Sequence, residues 1–311
     1  MNDQKYLEQS RKLNLLLRIK KHKLTKLDIL EMASLYRNLS AVLSEIKFQS
    51  IRSEVENSVM DAHRYLNTVP LSGKKIFHYL FQVLPVAAFR SGYVRLCIVL
   101  FYSVFFTSLV GGFLSKDYAV TVLGEATLEQ YTDMHKSDER NFDVDMALTG
   151  SGYYIVNNVT LDLITYGTGI LAGIGSVLFT LYNAIILGTT IGFLLNSPAA
   201  AGIQSWIFGH APFELTAIGF AAGAGLQTGL AMLRPGNRSR IGAVQVEGRR
   251  ALPALLTSLL LTFTAAFIEG FIAPLSIPIQ FKIAIGAVCA IFLLLYFIIP
   301  SFKAGAEIEL R

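Results

Sequence analysis

The sequence predicts an all-α fold: a polytopic membrane bundle of about six transmembrane helices, preceded by a small cytoplasmic helical bundle. Of its 311 residues, 53% are apolar and only 16% are charged, whereas soluble proteins carry roughly 25% charged residues. The apolar residues are clustered in runs near the ~20 residues that span the hydrocarbon core of a bilayer. These runs lack the short alternating pattern of outer-membrane barrels.

Residues 1–92 are predicted to form the first domain, a cytoplasmic helical bundle. Apolar residues recur at helical spacing in Leu7–Lys21 and Leu27–Ile46, and Gln49–Tyr65 predicts a third helix. The domain holds 15 lysines and arginines against eight acids, which favours the cytoplasmic side of the membrane. The sequence of Lys74–Tyr93 predicts an amphipathic helix at the membrane surface. The basic charge indicates contact with anionic lipid, and nothing in its pattern indicates nucleic acid.

Residues 93–311 are predicted to form the transmembrane domain. Its first span covers about Val94–Leu114, and an acidic segment follows at residues 115–152 with eight acids against three basic residues. This contrast predicts that the acidic segment is extracytoplasmic. The later segment Arg234–Arg250 carries five arginines and is predicted to be cytoplasmic by the same rule.

Residues Tyr153–Leu195 form one run of mostly apolar residues that is too long for a single span. A helix of 43 residues would extend for about 64 Å, roughly twice the hydrocarbon thickness. The acidic and arginine-rich segments are predicted to lie on opposite sides of the membrane, so the chain between them must cross it an odd number of times. One of these crossings is the span that begins at Phe208, and two further spans are therefore predicted in the long run. Spans at Ala251–Ile272 and Pro278–Ile299 complete six, with both termini in the cytoplasm and the protein in the cell membrane. Five spans remain an alternative if half of the long run is re-entrant.

Several ionisable and amide side chains lie inside the predicted spans, where such groups are costly and usually functional. His210 and Glu214 are four residues apart, and so share a helical face. The topology places Glu269 at a similar outer depth. The interpretation favoured by the sequence is a hydrogen-bonded polar lock between helices, with partner docking, proton handling or catalysis as the alternative. The predicted cluster comprises His210, Glu214, Glu269, Asp162, Asn157 and Asn158.

No catalytic residue, metal site or cofactor is predicted from these side chains. His210, Glu214 and Glu269 could supply three metal ligands, but the chain has no HExxH motif and only one intramembrane histidine. The glycine-rich string Gly167–Ser176 lacks the G-x-S-x-G pattern of a nucleophile. Cys97 and Cys289 lie in apolar runs and are predicted to be buried, without a disulfide.

Glycines recur at four-residue spacing within the predicted spans. Such small-xxx-small pairs let helix backbones approach closely in lipid, where no hydrophobic effect drives helices together. The predicted helix-packing glycines are Gly169 with Gly173, Gly188 with Gly192, Gly219 with Gly223, and Gly225 with Gly229.

Several strings along the chain carry a family resemblance. They include EMASLYRNLSAVLSE (Glu31–Glu45), LPVAAFR (Leu84–Arg90) and VNNVTLDLITYGTGILAGIGSVLFTLYNAIILGTTIGFL (Val156–Leu194). The most specific are GHAPFELTAI (Gly209–Ile218) and FIEGFIAP (Phe267–Pro274). With these strings, much of the chain resembles the stage II sporulation protein M family.

The resemblance implies an integral membrane scaffold. In spore-forming bacteria the family's named member anchors a cell-wall-degrading complex during engulfment, and it is not a known enzyme. The family pattern adds Asn183 to the polar positions of interest and attaches no established chemistry to any of them.

The function predicted from the sequence is therefore a non-enzymatic membrane scaffold that recruits partner proteins. The expected partners are membrane lipid and other membrane or envelope proteins, with homo-oligomerisation as a further possibility and nucleic acid excluded. One alternative is an ion- or proton-coupled transporter or channel that uses His210, Glu214, Glu269 and Asp162. A second alternative is an intramembrane metallohydrolase built on the first three of these residues.

Overall fold

The computed structural model describes residues 2–19, 24–67, 73–136 and 143–309, and for 301–309 the backbone only. All regular elements in these segments are helices, which confirms the predicted fold class. The chain divides into two compact units, here called the N-terminal unit (Met1–Ile76) and the membrane unit (Phe77–Arg311). Residues 77–92, which the sequence assigned to the first domain, therefore pack with the membrane unit. Asp138, Glu139 and Arg140 of the acidic segment lie outside the described residues.

The N-terminal unit is a bundle of three helices: α1 (Asn2–Leu17), α2 (Lys26–Val42) and α3 (Gln49–Asn67). Each helix turns its apolar stripe towards the others, as the spacing predicts. The hydroxyls of Ser10 and Ser58 hydrogen bond to each other across α1 and α3, at 2.6 Å, so that this buried polar pair is satisfied. The fully buried side chains of the core are Leu13, Met32, Leu39, Val55 and Ala62.

Helix α2 begins with a capping box. The backbone N–H of Asp28 donates to Thr25 Oγ1 at 3.2 Å, and the backbone N–H of Thr25 donates to Asp28 Oδ2 at 2.8 Å. The two residues thus satisfy two of the N–H groups that a helix start leaves free. The hydrogen bonds from Thr25, first from its side chain and then from its backbone, lower the pKa of the Asp28 carboxyl below its ordinary value of 3.8.

We expect Thr25→Ala to destabilise the N-terminal unit by about 1 kcal/mol, because the cap is lost. Since the pKa of Asp28 is lower in the folded state than in the unfolded one, the contribution of the carboxyl is present above its unfolded pKa. It is lost as the pH falls through the folded value. Hydrogen exchange of the α2 amides, compared at neutral and acidic pH, measures both effects. Thr25→Ser should keep the protection of wild type, and equal protection in Thr25→Ala at neutral pH would contradict the prediction.

The membrane unit is a bundle of long helices connected by shorter ones. The boundary between the two units lies within α4 (Gly73–His78), and the membrane unit continues from its last two residues into a π-helical turn (Tyr79–Val83) and α5 (Leu84–Phe89). The following helices are α6 (Gly92–Leu114), α7 (Lys116–Leu123), α8 (Glu125–His135), α9 (Val144–Gly167), α10 (Ile174–Leu195), α11 (Ala200–Ile207), α12 (Ala211–Leu233), α13 (Arg240–Phe271) and α14 (Ile279–Glu309). Within the described residues, five helices are long and apolar enough to cross a membrane: α6, α10, α12, α13 and α14. These helices indicate a multi-pass membrane protein.

The long apolar run Tyr153–Leu195 folds as two helices, as predicted, and the turn between them lies at residues 168–173. A short 3-10 segment, Thr168–Ile170, follows α9. Gly173 then adopts a φ of +82° directly before α10. This left-handed conformation is open to glycine because it has no Cβ, so the residue fixes where the chain reverses.

Helices α6 and α10 pack side by side and run in the same direction. Gly188 lies against the Phe105 backbone, and one turn further on Gly192 lies against the Leu109 backbone. The residue numbers rise together along the two helices, which defines a parallel pair. Two parallel spans in one chain require an odd number of crossings between them.

Helix α9 supplies that crossing. Its 24 residues extend for about 36 Å, whereas α7 and α8 have only eight and 11 residues. Along α13, Ser151 lies against Gly270 at one end and Asp162 bonds Thr262 near the middle, so α9 accompanies an adjacent span. Helix α9 contains buried polar residues such as Asn158 and Asp162 and is therefore less apolar than the other spans. A count by length and composition alone leaves α9 out and gives five spans.

Helix α12 is the most buried of the five apolar spans and forms the centre of the unit. A Cβ on Gly219 would lie 2.7 Å from the Ile98 side chain, and Gly223 is packed as closely on Val94, both in α6. On another face Gly225 and Gly229 meet the end of α9 and the turn that follows it, at Tyr166, Gly169 and Gly173. All eight glycines singled out in the sequence therefore lie where two backbones, or a backbone and a packed side chain, come close.

The two ends of the membrane unit differ in structure. At one end, here called the capped end, α7, α8 and α11 lie over the ends of the spans, with Gly202 of α11 against the His135 backbone of α8. At the other, here called the basic end, the α12–α13 connection and the start of α13 carry Arg234, Arg238, Arg240, Arg249 and Arg250. Which end faces the cytoplasm stays a prediction.

Helix α14 is the least buried of the five apolar spans and is held by aromatic contacts. Phe297 stacks on Phe220 of α12, with ring centroids 4.8 Å apart, and on Phe89 of α5, at 5.6 Å. The Tyr296 hydroxyl donates to the Leu80 carbonyl at 2.5 Å. In the π-helical register that carbonyl would accept from residue 85, but Pro85 has no N–H, so Tyr296 satisfies it.

Candidate functional site

The polar residues singled out in the sequence meet at the capped end, around the connection between α11 and α12. This connection consists of Phe208, Gly209 and His210, and it is tightly packed on both sides. A Cβ on Gly209 would lie 3.3 Å from Ile268 of α13, and Gly286 of α14 lies directly against the Phe208 carbonyl. The close approach to Ile268 brings His210 beside the next residue of α13, Glu269.

Three side chains form the centre of the site. His210 occupies the N-cap position of α12, and its Nε2 lies 3.4 Å from Glu214 Oε2 in the first turn of that helix. Glu269 reaches them from α13. One ligand atom from each of the three residues lies within 4.8 Å of the others. His210 and Glu269 are buried, while the Glu214 side chain keeps 24% of its exposure.

Two polar atoms of this centre have no hydrogen-bond partner among the described residues. The Trp206 side chain bonds the Glu269 carboxyl, but the Oε2 atom of Glu269 is buried without a partner. The same is true of His210 Nδ1. Buried polar atoms are paired in the great majority of cases, so unpaired atoms on two adjacent residues indicate a site that accepts a further group.

Asp162 extends the site towards the middle of the membrane. Its Oδ2 accepts a hydrogen bond of 2.5 Å from the Thr262 hydroxyl. Ser258, one turn earlier in α13, lies beside the carboxyl, and its hydroxyl donates to the Ala217 carbonyl at 2.9 Å. The carboxyl is close enough to Glu214 for the two charges to repel, and Glu214 interacts in the same way with Glu269. The cluster is thus continuous across α9, α12 and α13.

The three predicted amides have different positions. Asn158 is buried and accepts a hydrogen bond from Asn157 Nδ2 at 2.9 Å, one helical turn from Asp162. Asn183 lies in α10, and its Nδ2 donates to the Phe179 carbonyl of the same helix at 2.7 Å. Its recorded hydrogen bond is therefore local to α10, and the four ionisable side chains form the cluster without it.

Sequence reasoning missed the partners that the cluster uses. Trp206 and Thr262 looked like ordinary residues of apolar helices, because only the packing of α11 and α13 shows what they face. Lys282 is a stronger omission, since a lysine within an apolar span is itself a signal. The side chain is buried in α14, and its Nζ donates to Ser205 Oγ and, at 2.8 Å, to the Ala273 carbonyl.

The sequence profile of the family described as stage II sporulation protein M matches residues 75–274. The chain belongs to this family. The match runs from α4 to the end of α13 and so contains all four ionisable residues of the cluster. Most of the N-terminal unit and all of α14 lie outside the matched segment. No curated protein matches the chain, and no solved structure does.

We expect Thr262→Val to destabilise the membrane unit by at least about 0.6 kcal/mol, the average for interhelical hydrogen bonds in a membrane protein, and by up to about 1.7 kcal/mol, the largest value. Valine keeps the shape of the side chain but leaves the Asp162 carboxyl without this donor. Thr264→Val is a matched control, because that exposed hydroxyl bonds only its own helix, at Leu260. Unfolding by detergent titration can be followed through Trp206, the one tryptophan of the chain. Equal losses in the two variants would contradict the assignment.

Proposed function

We propose that this member of the stage II sporulation protein M family is a scaffold of the cell membrane that recruits partners on both sides. The observation that supports the proposal is the division into a water-facing three-helix bundle and a separate, tightly packed membrane unit. The basic charge of the N-terminal unit and of the basic end favours placing both in the cytoplasm. The capped end, with its acidic segment, then faces the outside.

The N-terminal unit carries the surface that fits a recruiting role. Leu27 and Leu30 lie on the same side of α2, and 78% and 58% of their surfaces are exposed. Ile29 is exposed beside them. Adjacent exposed apolar side chains on a small soluble bundle are typical of a protein-binding surface, because burial of each against a partner is favourable by about 1.5–3 kcal/mol.

The membrane unit fits the role of an anchor. The contacts at Gly192, Gly223 and Gly229 leave no room for a methyl group between neighbouring backbones, so the spans at these crossings pack as a rigid core. Such packing suits a protein that holds partners in place, since motion of one span against another would require these contacts to separate.

Photo-crosslinking tests the proposal. A benzophenone amino acid at Leu27 is expected to give a discrete adduct in living cells, and the same probe at Glu56, an exposed position of α3, should not. Leu30→Asp should remove the adduct without reducing the amount of protein in the membrane. No position-dependent adduct, or an adduct insensitive to Leu30→Asp, would contradict recruitment through α2. An adduct of the chain with itself would assign the surface to a homo-oligomer.

A second candidate function is proton or cation transport. It is supported by the adjacent carboxyls of Asp162, Glu214 and Glu269, a pattern common in proton pathways. This function predicts that Glu214→Gln abolishes ion flux in proteoliposomes while Glu247→Gln, at the basic end, leaves it unchanged. The absence of flux in wild type under any imposed gradient would remove it.

A further inference from the structure

We propose that His210, Glu214 and Glu269 bind one divalent transition-metal ion, which connects the start of α12 to α13. The proposal does not depend on the scaffold role, and sequence reasoning had set a metal site aside because the spans contain one histidine only. The structure adds the distances between the three residues and the pairing of their polar atoms.

The distances suit a small divalent ion. Ligand atoms about 2.1 Å from a tetrahedral zinc ion lie about 3.4 Å from each other. His210 Nε2 and Glu214 Oε2 are 3.4 Å apart, and an atom of Glu269 joins the group within 4.8 Å. Glu269 reaches the group from a different helix, α13, so the three ligands join two helices.

The charges also favour a cation. Two carboxylates beside each other at membrane depth must be neutralised, because an unpaired buried charge is very unfavourable. The ion pair recorded for Glu214 is with His210. One divalent ion balances the two negative charges, and Asp162, which accepts from the Thr262 hydroxyl, lies outside the group of three ligand atoms.

An unpaired atom provides an independent observation. Glu269 is 6% exposed, and its Oε2 atom, an oxygen of ligand type, is buried with no partner among the described residues. His210 offers Nε2 to the group, so its unpaired Nδ1 is the ring nitrogen that remains for an outer hydrogen-bond partner. The bond from Trp206 to the Glu269 carboxyl matches the usual arrangement in which a neighbouring donor orients a metal ligand.

The ligand set indicates the class of metal. Imidazole nitrogen favours zinc, iron, nickel or copper over magnesium and calcium, whereas carboxylates are accepted by all of them. One histidine and two glutamates therefore favour an ion such as Zn²⁺ or Fe²⁺. A fourth position remains for water, since the Glu214 side chain is partly exposed.

Metal titration of the full chain tests the site. Protein without a histidine tag is purified in mild detergent, stripped with a chelator and dialysed against Zn²⁺, and the bound metal is measured by mass spectrometry. We expect one ion per chain in wild type, and an affinity at least about tenfold lower in Glu269→Gln and Glu214→Gln. Glu247→Gln is the matched control and should bind as wild type does, because it removes a partly buried acid at the basic end, away from the three ligands.

A second measurement covers the case in which a variant fails to fold. The visible spectrum of Co²⁺ bound to wild type should show intense bands of a four-coordinate site, and Zn²⁺ but not Mg²⁺ should displace it. No stoichiometric binding to wild type would overturn the proposal, and would favour protons as the neutralising charge. Equal binding to wild type and to both folded glutamine variants would also overturn it, by assigning the metal to surface acids.

Discussion

Gly192→Leu is expected to prevent stable packing of α10 on α6, with a loss of about 3 kcal/mol or more in the free energy of unfolding. A Cβ at this position would overlap the Leu109 carbonyl and lie 2.9 Å from the Phe113 backbone nitrogen. Backbone atoms cannot rotate away as a side chain can. The two helices must therefore separate along the contact that also contains Gly188.

The measurement is the fraction of protein that remains monodisperse and helical during titration with a denaturing detergent. Gly152→Leu is the matched control, because Gly152 is also inside a long helix but has no atom within 4 Å of a built Cβ. We expect the control to unfold close to wild type and Gly192→Leu to unfold early or fail to accumulate. Indistinguishable unfolding of the two variants would contradict the parallel α6–α10 contact.

Phe220→Ala is expected to release α14 from the bundle. Phe220 is fully buried and stacks on Phe297, the residue through which α14 also contacts Phe89 of α5. Removal of a buried phenylalanine leaves a cavity and typically costs about 3–5 kcal/mol. Since α14 is the least buried of the five apolar spans, most of this loss should appear as local opening of α14.

The two free cysteines report that opening directly. Cys289 lies in α14 and is buried in the same cluster as Phe220, whereas Cys97 is buried in α6. A loss of about 3 kcal/mol corresponds to roughly a hundredfold faster maleimide labelling of Cys289, while labelling of Cys97 stays slow. Phe220→Leu should give a smaller increase. Labelling of both cysteines at equal, raised rates would indicate global unfolding and contradict local release.

The sequence predicted the helical membrane fold well because hydropathy and glycine spacing act along one helix at a time. The number of helices in Tyr153–Leu195 followed from the length of this run and from the opposite predicted sides of the acidic and arginine-rich segments. The parallel pairing of α6 with α10 could not be predicted, because Gly188 and Gly192 indicate a close contact without indicating its partner. Helix α9 was predicted as a span through the charges of the flanking segments and not through its hydropathy, and the hydrogen bond of its Asp162 with Thr262 of α13 could not be predicted.

The site was predictable to the extent that topology sets depth. His210, Glu214 and Glu269 were placed at a common outer depth from the direction of their helices, and the structure brings them together. Asn183, which entered through the family pattern, bonds its own helix. Trp206 and Thr262 were missed because aromatic and hydroxyl side chains are common in apolar helices, and only tertiary contacts show that they bond carboxyls.

The cluster and the scaffold role can be reconciled within one structure. The four ionisable side chains connect α9, α12 and α13 at the capped end, while the basic end and the N-terminal unit carry the positive charge. A bound cation would stabilise the capped end of the bundle without affecting the surface at Leu27 and Leu30. The proposed metal site and the proposed recruiting surface are therefore testable by separate variants.

The two-sided arrangement of the protein is tested most directly by labelling single cysteines in a Cys97→Ala, Cys289→Ala background. Intact cells are treated with a membrane-impermeant maleimide before and after permeabilisation. We predict that Glu129→Cys in α8 is labelled in intact cells, whereas Arg238→Cys at the basic end and Glu56→Cys in the N-terminal unit are labelled only after permeabilisation. Labelling of Glu129→Cys and Arg238→Cys from the same side would contradict six crossings and a scaffold that faces both sides of the membrane.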